Sequence, residues 1–127
     1  MKLKSLAILS VTILLSTTSH ARYLCSYYAH ISDNDKYNSS GLSVITGYNK
    51  ASAAAVLRQD RANFYKFGDR DYGDTGDCVM QSQQQRAKFE NYLRNGTATS
   101  SAIQRIIDGN PTVKVDIYTD SINVNVD

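Results

Sequence analysis

The chain has 127 residues, 42% of them hydrophobic, with 14 Lys and Arg against 12 Asp and Glu. That length supports one hydrophobic core and little more. A formal charge of +2 lacks the basic surplus or stripe on which nucleic-acid affinity rests, so no nucleic-acid partner is expected.

Met1 to Lys4 form a short basic stretch, and Leu6 to Leu15 an apolar run broken only by Ser10 and Thr12. Ser19 and Ala21 then place small residues at the two positions that signal peptidase reads before a cut ahead of Arg22. The run is too short to anchor a chain across a bilayer. Arg22, Tyr23 and Leu24 ahead of Cys25 do not make a lipoprotein site. Residues 1–21 therefore read as a cleavable signal peptide, and 22–127 as a single exported domain, bacterial in the style of its leader and periplasmic or secreted. Without Lys2 and Lys4 the exported part carries 12 basic and 12 acidic side chains and is formally neutral. Glu90 is its one glutamate, and Asp favours turns and caps over helix interiors.

Cys25 and Cys78 are the only cysteines. Export would place them where thiols oxidise, so a single Cys25–Cys78 disulfide is expected.

From Tyr23 to Ile31 the residues alternate, with Tyr23, Cys25, Tyr27, Ala29 and Ile31 on one side, which predicts a strand. Residues 32–41 are loop by composition, and Leu42 to Thr46 suggest a short strand. Helical periodicity starts after Asn49, a suitable N-cap, and runs to Phe67, with Gly68 placed to end it. Ala53, Val56, Leu57, Phe64 and Phe67 make its apolar stripe, Asp60 falls in the middle of that stripe, and Arg61 lies at its edge. Arg58, Gln59, Asn63, Tyr65 and Lys66 face the other way.

A loop dense in Asp and Gly precedes Cys78, and a polar helix is predicted from about Val79 to Arg94, burying Ser82, Arg86, Phe89 and Leu93. A short helix over about Ser100 to Asp108 points Ile103, Ile106 and Ile107 inward before the Gly109-Asn110-Pro111 break. Val113, Val115 and Ile117, then Ile122, Val124 and Val126, alternate with polar residues around Thr119-Asp120-Ser121, the pattern of a β-hairpin. The whole is an α+β fold: a small antiparallel sheet, N-terminal strand plus C-terminal β-hairpin, with two or three helices packed on one face and one disulfide.

Candidate chemistry is sparse. Asp60 on a core-facing stripe must be paired, hydrogen-bonded or protonated. Backbone N–H groups of the first strand, Arg61 or Arg86 would satisfy it structurally; the alternative is a catalytic or ligand-contacting acid. His30 is the one histidine of the exported part, and it could serve as a base only beside a nucleophile that sequence cannot locate. Asp69, Asp71, Asp74 and Asp77 lie among three glycines, a composition that suits calcium. The EF-hand pattern fails there, with Gly73, Asp74 and Met80 at positions that need other residues, and a solvated turn-rich loop is the competing reading. No cofactor is expected beyond that calcium option. Tyr28, Tyr37, Tyr48 and Tyr72 fall on an outward strand face or in loops, where tyrosine supplies contact area with a hydrogen-bonding tip.

By elimination these features point to an exported, non-catalytic binding domain of the cell envelope, an inhibitor-like module among the options, whose partner is another protein or an envelope component. The second reading is a small secreted hydrolase acting on a cell-wall or other extracytoplasmic substrate, with Asp60, His30 and an acid of the 69–77 loop converging in a cleft.

Overall fold

The computed structural model describes residues 7–8, 10–12 and 21–127. Most of the proposed signal peptide falls outside the described residues. Among them, no helix is long and apolar enough to cross a membrane.

The period-2 segments form one antiparallel sheet in the order β1 (Tyr23–His30), β2 (Thr112–Tyr118), β3 (Ile122–Val126). Its inner face buries Tyr27, Ala29, Val113, Val115, Ile117, Ile122 and Val124. One side chain departs from the expected alternation. A bulge between Tyr23 and Cys25 shifts the register, so that Tyr23 pairs with Tyr118 and Cys25 with Ile117. The extra residue turns Tyr23 to the outer face, where its ring meets that of Tyr118 edge-on and its hydroxyl bonds Ser26 Oγ at 2.8 Å.

Helix α1 (Lys50–Tyr65) begins as expected, with Asn49 Oδ1 accepting from Ser52 N at 2.8 Å. It ends two residues earlier than expected. Lys66 N and Phe67 N both return to Ala62 O, and Gly68 takes a φ of +67°, a conformation that glycine adopts without a steric cost. Beyond the last turn the helical wheel no longer applies, and Phe67 is exposed instead of lying on the apolar stripe. A 3-10 helix (Asp33–Lys36) covers the flank of α1 expected to be solvated. Asn63 is buried there, donating to Asp35 Oδ1 at 2.9 Å.

The predicted strand over Leu42–Thr46 is absent from the described residues except for a single bridge, Tyr37 to Ser43. Asn38 explains this: its Oδ1 accepts from Ser40 N and Leu42 N, winding the chain into a tight turn that leaves little strand to pair.

The predicted helix over Val79–Arg94 is two helices, α2 (Gln83–Arg86) and α3 (Phe89–Asn95). Two side chains delay its start. Asp77 Oδ1 accepts from Val79 N and Met80 N, and Ser82 Oγ, exposed instead of buried, accepts from Gln85 N. Such competing caps favour turns over continued helix. Helix α4 (Ser100–Asp108) has the expected bounds, capped by Thr99 Oγ1 on Ala102 N, and it buries Ile103, Ile106 and Ile107. Helices α1, α3 and α4 close over the inner sheet face, with Leu57, Met80, Phe89 and Leu93 in one core cluster.

The disulfide joins Cys25 to Cys78, with Cα atoms 6.3 Å apart, and thus ties β1 to the segment before α2. Gly96, at the end of α3, is required by space: a Cβ there would lie 1.7 Å from Ile122 O. Both outer strands are also occupied along their free edges. Thr75 N donates to Tyr28 O beside β1, and Val124 N donates to Thr97 O beside β3, contacts that blunt edge-to-edge association.

Candidate functional site

Asp60 is 2% exposed, and its Oδ2 accepts from Arg61 Nε at 2.9 Å. Arg61 is the larger surprise, since the side chain expected at the stripe's edge is fully buried. Its Nη1 donates to Thr75 O at 2.8 Å and reaches Asp77 Oδ2 at 3.3 Å. Its guanidinium carbon lies 4.0 Å from the Tyr27 ring centroid and 4.5 Å from that of Phe64, a cation–π arrangement in a desolvated setting. Tyr65 closes the group, its hydroxyl donating to Asp77 Oδ2 and accepting from Asp77 N.

One guanidinium thus faces two buried carboxylates, so full ionisation would leave a buried negative charge. Burial, against the pull of Arg61, raises the Asp60 pKa to about 7, so that the proton resides there over the acidic range. Burial likewise pushes the Tyr27 hydroxyl well above its ordinary value. This centre joins β1, α1 and the 69–77 loop from inside the fold.

The acids of that loop have separate tasks. Asp74 accepts from His30 N through Oδ1 and from Asp71 N through Oδ2. Asp77 serves Arg61, Tyr65 and the Val79 and Met80 amides. Asp69 Oδ2 accepts from Asn34 Nδ2 at 3.4 Å. Among the described residues no three His, Cys, Asp or Glu side chains are grouped to share a metal ion. His30 is half-buried on β1 opposite Thr112, its backbone N–H taken by Asp74.

The four candidate tyrosines are exposed but dispersed. Tyr28 lies on the outer sheet face opposite Lys114, and Tyr72 is fully exposed in the loop. Tyr48 lies near α4, bonding Asp108 Oδ1 at 2.7 Å, an interaction that raises its pKa. Tyr37 lines a cavity of about 540 Å³ with Gln59, Phe67 and Asp69.

That cavity adjoins a second of about 330 Å³, and the two share Asn38, Ser39, Gln59 and Phe67. The smaller one is lined by Arg58, Lys66 and Arg86 and by no carboxylate. Among the described residues none of these three cations forms an ion pair; those present engage Arg61, Arg94 and Lys114. Arg86 is buried, its Nη1 held by the Met80 and Gln81 carbonyls. Burial and, after it, the positive Arg58 lower its pKa, so the two guanidiniums feel one another. The groove therefore combines unpaired positive charge, amide side chains and exposed rings. Sequence reasoning missed it because its residues come from the 38–44 turn, α1 and α2, which only the tertiary fold brings together.

No protein-family model, curated protein or solved structure matches this chain. Its function has to be read from its own geometry.

Proposed function

We propose that this chain is an exported, non-catalytic binding domain that acts in the periplasm or outside the cell and holds its partner in the groove flanking α1. The observation that carries this reading is the groove itself: three cations without ion-pair partners among the described residues, beside amides and an exposed Phe67, on a well-packed helix. Concave sites with a few converging polar groups on a rigid scaffold are the usual places for ligands. The Cys25–Cys78 bridge and the apolar leader at residues 6–15 support an oxidising, extracytoplasmic compartment.

Two further observations favour binding over hydrolysis. Asp60, the best candidate acid, is 2% exposed and engaged by Arg61. The carboxylates of Asp74 and Asp77 hold backbone amides and the buried centre, work that keeps them from a reacting atom.

The test is affinity capture from the envelope and medium of the producing cells with immobilised wild-type protein and with Phe67→Ala. Retention of a component by the wild type and its loss with Phe67→Ala is expected. Equal retention by both, or cleavage of the captured material by the wild type, would overturn the reading.

A further inference from the structure

We infer that the groove takes an acidic saccharide: a short sugar chain bearing carboxylate or phosphate groups, with its oxyanion against Arg58 and Arg86. This deepens the binding-domain reading and rests on it.

Charge points to an anion. The exported part is formally neutral, yet Arg58, Lys66 and Arg86 meet in one cavity without a carboxylate. Gathering like charges costs energy in the empty protein, and an oxyanion removes that cost while accepting the two-pronged hydrogen bonds that guanidinium offers. The described bonds of Arg86 use Nη1 alone, which fixes the side chain and leaves its other N–H groups for a ligand.

The amides point to hydroxyl groups. A side-chain amide donates and accepts at once, the capacity a sugar hydroxyl matches. Two amides in the groove are already oriented by the protein. Asn38 Oδ1 holds Ser40 N and Leu42 N, leaving its NH2 to donate; Gln59 Nε2 donates to Asn63 Oδ1 at 2.9 Å, leaving its oxygen to accept. Preorganised groups lose less entropy on binding.

The aromatic rings point to a pyranose. Phe67 is 52% exposed and borders both cavities, with Lys66 Nζ 5.3 Å from its centroid. The electron-rich ring face attracts the weakly positive C–H face of such a sugar, and the Lys66 ammonium beside that ring supplies a cation for an acidic substituent. Tyr37, also half exposed, extends the platform into the larger cavity. Asp69 lines the larger cavity and not the smaller, so it repels a second oxyanion there and favours placing the acidic group at the smaller one.

Three probes of matched size separate the possibilities: tri-galacturonate, maltotriose phosphate and neutral maltotriose, each titrated into the disulfide-bonded protein by calorimetry and amide NMR. One or both acidic sugars should bind, perturbing the Gln59, Phe67 and Gln83 resonances, and the two arms distinguish carboxylate from phosphate. Arg58→Gln and Lys66→Gln, both at exposed positions, should each weaken that binding by about tenfold with the circular dichroism unchanged. Raising ionic strength from about 0.02 M to about 0.2 M should weaken it further.

Equal affinity for maltotriose, indifference to Arg58→Gln, or tighter binding of tri-glutamate than of either acidic sugar would overturn the assignment. If all three sugars fail while Phe67→Ala still abolishes capture of an envelope component, the ligand class falls and the binding domain stands. If an acidic sugar binds and is cleaved, the ligand class stands and the non-catalytic reading falls.

Discussion

Within α1, Arg61 is fully buried and holds Asp60, Asp77 and the Thr75 carbonyl, whereas Arg58, one turn earlier, is exposed and has no carboxylate partner among the described residues. The same side chain on the same helix has two kinds of consequence. Inside, a charge is tolerated only with partners, and once partnered it fixes the elements around it. At the surface an unpaired guanidinium is hydrated, costs the fold little and keeps its hydrogen-bonding capacity for something else. The inner cluster should therefore carry stability and the outer one binding.

Arg61→Ala puts this contrast at greatest risk. It would leave Asp60 and Asp77 buried without their cation and open a cavity against Tyr27 and Phe64, a loss of roughly 3–5 kcal/mol. Urea unfolding should show a domain near or past the edge of folding. A loss below about 1 kcal/mol would mean that the centre is incidental to stability.

Next in size is the disulfide. Cys78 follows Asp77 directly, and Cys25 lies two residues before Tyr27, so the bridge pins two sides of the buried centre. Cys25→Ala combined with Cys78→Ala frees a loop spanning 53 residues, worth about 4 kcal/mol in the chain-entropy model when native geometry is unstrained. The thermal midpoint should fall steeply, and sugar binding by whatever fraction remains folded should keep its affinity, because neither cysteine lines the groove.

Titration probes the inner cluster more finely. Burial raises Asp60 to about 7 in the folded chain from an ordinary value of 3.8. The folded state therefore holds a proton that the unfolded state has released. The stability linked to this group is fully present below pH 3.8 and is lost as pH rises through about 7, at up to about 1.4 kcal/mol per pH unit across the window. Asp60→Asn keeps an oxygen for Arg61 Nε and removes the titration. Its unfolding free energy should be flatter than that of the wild type between about pH 4 and pH 7; an unchanged slope would show that Asp60 does not carry this proton.

Much of the inner half was legible in the chain's own residue order. Period-2 alternation placed the three strands, Asn49 and Ser100 marked helix starts, and a lone carboxylate on an apolar stripe singled out Asp60. Arg61 escaped because a helical wheel knows one buried face, whereas the 3-10 helix and the 69–77 loop enclose α1 on further sides. The late start of α2 escaped because Asp77 and Ser82 cap amides that a helix beginning at Val79 would have used. The groove was illegible for a different reason. Its residues come from three separate segments, Asn38 from the turn, Arg58, Lys66 and Phe67 from the outer side and end of α1, and Gln83 and Arg86 from α2, and Phe67 belonged by periodicity to the core. Exposed tyrosines could be named singly, but nothing local says that Tyr37 joins a cavity while Tyr72 stands alone.

The change with the least effect on stability is also the most discriminating. Arg58→Gln removes an exposed cation that stands beside Arg86, so the folded state loses no ion pair and is relieved of a like-charge neighbour. Its unfolding free energy should stay within about 0.5 kcal/mol of the wild type, with any change towards greater stability. A loss of binding without a loss of stability would separate the two ends of this helix turn: Arg61 held by the fold, Arg58 held in readiness by it. If Arg58→Gln instead unfolds the protein, the outer guanidinium has a structural partner, and the contrast between the two arginines disappears.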